Sequence, residues 1–182
     1  MNRSLALMVS GAALVMALVA DAAGNLSIDL ANSTIIATFR QENVPVDAPF
    51  KRFNGRIDYD PALTTASKAA LEVTASSLDL GSEDYNSEVR KKAWLDSGTY
   101  PTVTFISTAI KPGAAGHFDA TGILTLKGKT QTLTVPVSVS KAGTATSFDG
   151  ELQISRSYFG IGDEEWNDVL DDKVRVKFHI IE

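Results

Sequence analysis

The stretch SFDGELQIS, residues 147–155, alternates apolar and polar side chains and decides the fold class. Its even-numbered positions, from Phe148 to Ile154, share one face of a strand, while the odd-numbered positions carry Ser, Asp, Glu and Gln. This period of two predicts a half-buried β-strand. Residues 132–140 and 174–180 alternate in the same way, so the chain is predicted to form a mostly antiparallel β domain.

The same pattern predicts further strands at residues 27–30, 35–41, 53–59, 69–75, 102–110 and 118–126. One helix is predicted over residues 83–94, because Ser82 can cap it and acidic residues open it. A single helical turn is predicted near residues 166–170. Pro136 lies on the polar face of its strand, which predicts an edge position or a bulge there.

Many antiparallel strands in one domain close into a barrel or stack as a two-sheet sandwich. The charged residues Arg175, Lys177 and Glu151 fall near strand centres on the face opposite the apolar one. Charges facing lipid there would cost about 2–4 kcal/mol each. We therefore expect an apolar interior and no stable insertion into a membrane.

The N-terminus carries a secretory signal pattern. Arg3 precedes a run of apolar and small residues at 5–19, and Ala20-Asp21-Ala22 has the small-x-small form of a cleavage site. We expect residues 1–22 to be a signal peptide and residues 23–182 to be one exported domain. An uncleaved N-terminal anchor is the alternative interpretation, although the run is short for a membrane span.

Composition excludes several classes of protein. The chain has no cysteine, so neither a disulfide nor a thiol nucleophile is available. Its net charge of −5 argues against nucleic acid as a partner, which needs a basic footprint. The sequence does not determine the oligomeric state, and a homodimer is compatible with it.

No constellation of residues indicates catalysis or metal binding. His117 and His179 are far apart in sequence and are interpreted as solvated residues. The acidic residues at 163–165 and 168–172 do not match a calcium loop, and no GxSxG motif marks a nucleophilic serine. We expect no enzyme, no metal and no cofactor. A hydrolase with an unrecognised site is the weakest alternative.

An ordered set of motifs resembles the YceI-like family, and it runs across almost the whole exported domain. The matching segments are FNGRIDYDP (53–61), SLDLG (77–81), WLD (94–96), YPTVTF (100–105), GILTLKGKT (122–130) and RSYFGIG (156–162), followed by Trp166. The chain departs from the family pattern at Tyr158, where Asp is expected, and in a short loop at residues 167–173.

This resemblance implies an extended, eight-stranded, lipocalin-like antiparallel barrel in the bacterial periplasm, with one or two short helices. It also implies a binding protein that holds a long apolar molecule, such as a polyprenyl chain or an isoprenoid quinone. A barrel of about eight strands is wide enough for one slender ligand. A structural or adhesive β-sandwich without a cavity is the alternative function.

The candidate ligand-binding residues are apolar side chains predicted to face inward, with core packing as the alternative role of each. They are Phe39, Ile57, Leu71, Val73, Phe105, Leu124, Leu126, Val135, Val137, Phe148 and Ile154, together with Trp94, Phe159 and Trp166, which are expected to close one end of the barrel.

Overall fold

Nine antiparallel strands form one sheet that curls into a barrel in the computed structural model, which describes residues 28–182. Neighbouring strands follow the order β2-β1-β9-β8-β7-β6-β5-β4-β3. The strands are β1 (Thr34–Gln41), β2 (Val44–Pro49), β3 (Phe53–Asp58), β4 (Lys68–Thr74), β5 (Thr102–Pro112), β6 (His117–Leu126), β7 (Lys129–Ala142), β8 (Ala145–Ser155) and β9 (Lys173–Ile181). The predicted all-β barrel is confirmed. The predicted signal peptide, residues 1–22, lies outside the described residues.

The barrel is held together across its two edge strands by the chain that follows β2. Phe50 forms an isolated bridge with Leu78, and the Lys51 N–H donates to the Ser77 carbonyl at 3.0 Å. Residues 77 and 78 come directly after β4, which lies next to the edge strand β3. These bonds therefore join the first and last parts of the sheet.

The strand count differs from the predicted eight, and two local predictions were wrong. Residues 28–30 form no strand, because the Asp29 carboxylate accepts bonds from the Ala31 and Asn32 N–H groups and turns the chain. β2 was missed because Pro45 and Pro49 weaken its strand pattern. Both prolines are tolerated because β2 lies at the edge of the sheet.

Pro136 marks the point where two neighbouring strands separate. β7 pairs with β6 along ten residues, from His117↔Ser138 to Leu126↔Lys129, but its pairing with β8 stops at Val137↔Gly150. Beyond that point β8 continues to Ser155 beside β9 alone. β7 is an inner strand, yet Pro136 lies where it has become a local edge. That position suits a residue without an N–H to donate.

The one α-helix, α1, is shorter than predicted and spans Glu83–Val89. Ser82 caps it as expected, since its side chain accepts a bond from the Tyr85 N–H. The chain then leaves helical geometry after Arg90, and the Leu95 N–H bonds back to the Val89 carbonyl. This tight turn buries Leu95 and directs the chain towards the barrel interior.

The apolar strand faces point inward, as the alternation predicts. Phe148 and Ile180 are almost completely buried, whereas Arg175 and Lys177 on the opposite face of β9 are exposed. Short 3₁₀ turns occur at Thr64–Ala66, Ala75–Ser77 and Glu164–Trp166, the last of them close to the predicted second helical turn. None of the helices within residues 28–182 has the length and apolar character that a membrane crossing requires.

Candidate functional site

The barrel encloses a cavity of about 760 Å³ that is lined almost entirely by apolar side chains. Seven of the strands each contribute two or more residues to the lining. β3 contributes Ile57 alone, and β2 contributes Val46 alone. Inward-facing residues alternate with outward ones along a strand, so a curled sheet with an apolar inner face produces such a lining directly. The volume lies within the range of small-molecule pockets.

One end of the cavity carries a cluster of aromatic rings, and we call it the aromatic end. The Tyr59 ring stacks on Phe118 at a centroid distance of 5.8 Å and meets Phe148 edge-on at 5.6 Å. Phe118 and Phe148 also line the cavity. Tyr59 directly follows β3, Phe118 is the second residue of β6 and Phe148 is the fourth residue of β8, so this end of the barrel brings the three rings together.

The opposite end carries the charged and polar lining residues, and we call it the polar end. Gln41 closes β1, Glu88 lies on α1, and Arg156 and Asp171 bracket the loop between β8 and β9. Trp94 and Trp166 also line the cavity here, with ring centroids 5.1 Å apart and a tilt of 60°. Because the chain has two tryptophans in all, its intrinsic fluorescence reports on this end.

Two carboxylates at the polar end are each paired with a surface cation. Glu88 lies 2.5 Å from the Lys91 ammonium, and this hydrogen bond holds the pKa of Glu88 below its usual value, with smaller help from Trp94. The Asp171 carboxylate lies 3.9 Å from the Arg40 guanidinium. These pairs are exposed, so they neutralise the rim of the cavity without contributing much stability.

Arg156 is the charged residue that lies deepest at this end, with 3% of its surface exposed. Its guanidinium donates to the carbonyl oxygens of Asp171, Ile161 and Leu170 and to the side chain of Asn167, at 2.8–3.2 Å. All four acceptors are neutral. Arg156 thereby fixes the loop between β8 and β9, and it also forms part of the cavity wall.

Nearly all of the predicted ligand-binding residues line this cavity. Those that line the cavity are Phe39, Ile57, Leu71, Val73, Trp94, Phe105, Leu124, Leu126, Val135, Val137, Phe148, Ile154 and Trp166. Their contact with a ligand stays a prediction.

Phe159 is the exception among the predicted residues. It is almost completely buried, but it does not line the cavity. It packs in the apolar cluster that contains Leu133 and Ile154, with its ring 4.9 Å from that of Tyr158. The residue follows the end of β8, where β7 and β8 no longer pair, and it fills the space between them.

Sequence reasoning missed the polar end of the cavity. Gln41, Glu88, Arg156 and Asp171 belong to strand ends and loops, where a period of two gives no indication of inward or outward orientation. Leu78 and Leu80 were also missed, although they flank Asp79 in the SLDLG segment. A search for apolar residues on either side of that motif would have found them.

The two histidines lie on the outer face of the sheet, away from the cavity. The His117 Nδ1 is 3.2 Å from the Ser138 hydroxyl, and the His179 Nδ1 is 2.6 Å from an Asp149 oxygen. Neither histidine joins a serine to a carboxylate, as a hydrolytic triad requires. Within residues 28–182, no group of three or more His, Asp or Glu side chains converges as a metal site would need.

Comparison with known proteins places this barrel among relatives of similar size. The family model of the YceI-like domain matches residues 26–181. A UPF0312 protein of Vibrio cholerae is 30% identical over 118 residues, which is 62% of this chain and 62% of the relative's length. A UPF0312 protein of Pseudomonas syringae pv. tomato is 28% identical over 170 residues, or 88% of each chain.

Two solved structures share the fold. BcnA of Burkholderia cenocepacia is 42% identical and superposes with a TM-score of 0.82 over 85% of this chain and 99% of BcnA. A polyisoprenoid binding domain of Saccharophagus degradans is 19% identical, with a TM-score of 0.69 over 85% of this chain and 95% of that domain. The second similarity concerns the fold alone.

Proposed function

Because the chain belongs to the YceI-like family and its barrel encloses a long apolar cavity, we propose that it binds one long apolar molecule of the isoprenoid type inside the barrel. The observation that carries this proposal is the lining, which is apolar from the aromatic end to the ring of polar residues at the other end. The domain of S. degradans that shares the fold binds polyisoprenoids, which supports the same ligand class here.

The energetics of burial suit such a ligand. Burying an apolar group contributes about 0.8 kcal/mol per CH₂, so one five-carbon unit contributes about 4 kcal/mol before costs are subtracted. A few such units already reach the range of strong binding, and the loss of freedom on association reduces the total. Few polar contacts are then needed, in keeping with the small number of polar residues in the wall.

The cellular role follows from the same proposal. We propose that residues 1–22 direct export, that residues 23–182 act in the periplasm, and that the protein carries or stores its ligand there. A single curled sheet with a cavity does not fit the β-sandwich alternative, which needs two packed sheets and a filled core.

Two neighbouring alanines of β4 provide a matched test. Ala69 lines the cavity, whereas Ala70 is exposed on the outer face. Ala69→Trp should fill part of the cavity and reduce binding of a C20 isoprenoid alcohol at least tenfold, and Ala70→Trp should leave it unchanged. Binding is measured by displacement of an apolar fluorescent probe, and unfolding midpoints show that both variants are folded.

Native mass spectrometry of protein purified from its host gives an independent reading. We expect the wild-type chain to retain an apolar molecule that organic solvent extracts, and the Ala69→Trp variant to retain less of it. A wild-type protein that carries no such molecule and binds neither the probe nor the alcohol contradicts the proposal.

A further inference from the structure

Arg156 has one more hydrogen-bond donor than the protein uses. A guanidinium group carries five N–H donors and no acceptor. Four of them bond to Asp171, Ile161, Leu170 and Asn167, one from Nε, one from Nη1 and two from Nη2. One N–H of Nη1 is left without a partner among the described residues. Burial of an unpaired donor on a charged group is unfavourable, so this position favours a ligand that can accept a hydrogen bond.

No carboxylate forms an ion pair with Arg156 within residues 28–182. Asp171 directs its carboxylate to Arg40, and only its backbone carbonyl reaches Arg156. The Asp172 carboxylate accepts bonds from Ser155 and Ser157. Burial raises the pKa of Asp172, but these bonds and the Arg156 charge together hold it below its usual value. Arg156 is therefore a buried cation whose direct partners are all neutral.

The backbone at Gly162 brings Arg156 Nη1 close to Trp94, one of the two tryptophans of the polar end. Gly162 has φ of +75°, and a Cβ atom there would lie 3.0 Å from Arg156 Nη1 and 3.1 Å from the Trp94 ring. The glycine thus lets the guanidinium and the indole approach the same point. Both side chains line the cavity.

From this geometry we infer that the ligand has one oxygen-bearing head group, which accepts a hydrogen bond from Arg156 Nη1 at the polar end while its tail extends to the aromatic end. This inference rests on the proposed function and adds a head group and a direction of binding. The cavity lining at the aromatic end includes Phe118, Phe148 and Ile35, which have no polar side-chain atoms, and Tyr59 packs on the two phenylalanines without lining the cavity. An amphiphilic ligand therefore has one favourable orientation in the cavity.

A series of C20 ligands tests the inference on the wild-type chain. We compare an isoprenoid alcohol, its monophosphate and the hydrocarbon of the same skeleton, using tryptophan fluorescence and displacement of an apolar probe. At least one oxygen-bearing ligand should bind about ten- to a hundredfold more tightly than the hydrocarbon, as expected for a hydrogen bond to a charged group. The alcohol and the monophosphate distinguish a neutral head group from an anionic one.

The outcomes separate the two proposals. Equal affinity for all three ligands overturns the role of Arg156 and leaves the apolar binding function intact. If none of the three binds, the proposed function itself fails. The Arg156→Lys variant should lower the ratio of the affinities for the oxygen-bearing ligand and the hydrocarbon by about tenfold. If that variant does not fold, the wild-type ligand series alone decides.

Discussion

Individual side chains explain why particular motifs occur at their positions in this barrel. Asp79, in the middle of the SLDLG segment, accepts bonds from the Gly81 N–H at 3.0 Å and from the Asn86 side chain at 3.2 Å. Asn86 in turn accepts a bond from the Leu80 N–H at 2.7 Å. The motif is thus a turn that attaches α1 to the strand region before it, and Leu78 and Leu80 face the cavity on either side.

Acid should weaken this turn. The backbone bond from Gly81, with help from Asn86 and Lys51, lowers the pKa of Asp79 below its ordinary value of 3.8. A carboxyl group whose pKa is lower in the folded state stabilises the fold above its ordinary pKa, and this stabilisation is lost as the pH falls through the lowered value. We expect Asp79→Asn to lower the urea midpoint at pH 7 and to reduce the loss of stability between pH 7 and about pH 2.5.

Asp119 is the control for that experiment, because it is exposed on β6 with no side-chain partner among the described contacts. Asp119→Asn should leave the urea midpoint at pH 7 close to that of the wild type. It should also leave the loss of stability on acidification unchanged. If Asp79→Asn behaves like the Asp119 variant, the turn does not depend on the Asp79 charge.

Two glycines inside strands show how much a sequence can predict at this scale. Glycine inside a strand often marks a bulge, and β5 has a register shift at Ser107/Ala109, opposite Gly122. The packing reason could not be predicted. A Cβ at Gly150 would overlap the Phe178 ring, and one at Gly122 would lie 2.5 Å from the Phe105 ring. These contacts join residues of different strands, so they depend on the register.

At the scale of elements, the loop after β8 replaces the strand pairing that is missing between β7 and β8. Side chains of the β6–β7 hairpin hold it: the Lys129 ammonium donates to the Tyr158 carbonyl at 2.7 Å, and Lys127 donates to the Gly160 carbonyl. Burial lowers the pKa of Lys127. The Tyr158 hydroxyl completes the attachment by donating to the Thr130 carbonyl at 2.8 Å.

Loss of the Tyr158 hydroxyl should loosen this loop. Tyr158→Phe removes one hydrogen bond and keeps the ring on Phe159, so we expect a loss of about 0.5–1.5 kcal/mol in the free energy of unfolding. Tyr100→Phe is the matched control, since the Tyr100 hydroxyl forms no hydrogen bond with any residue in the range 28–182. Hydrogen exchange should speed up at Gly160 and Ile161 in the first variant only. Unchanged exchange there would mean that the two lysines suffice.

The elements that the sequence predicted well are those with a regular period. The strands from β3 to β9 follow clear apolar alternation, and their predicted bounds differ from the observed ones by a few residues. Residues 28–30 fail through the local Asp29 turn, whereas the other two failures share a physical cause, which is that tertiary contacts decided the outcome. β2 depends on a neighbouring strand to hold its prolines at an edge, and the helix ends early because Leu95 is buried against the barrel.

In the molecule as a whole, the cavity runs through an apolar barrel from the aromatic end to the polar end. The apolar wall was predictable because inward positions repeat along each strand. The polar end was not, because it assembles residues from β1, α1 and the β8–β9 loop, which are far apart in sequence. Arg156 illustrates this limit: its four acceptors all belong to the β8–β9 loop, whose irregular backbone has no period from which to predict them.

An apolar cavity of this size also makes stability depend on the ligand. A ligand that binds only the folded chain stabilises it by about 2.7 kcal/mol at a hundred times its dissociation constant, and for a domain of this size that raises Tm by about 5–10 °C. We expect solvent-extracted protein to melt lower than the same protein reloaded with the C20 alcohol, and the difference to shrink in Ala69→Trp, whose cavity is partly filled. The Ala70→Trp variant should respond like the wild type. An identical Tm for extracted and reloaded wild-type protein, at ligand concentrations that saturate the fluorescence signal, would contradict preferential binding of the ligand to the folded chain.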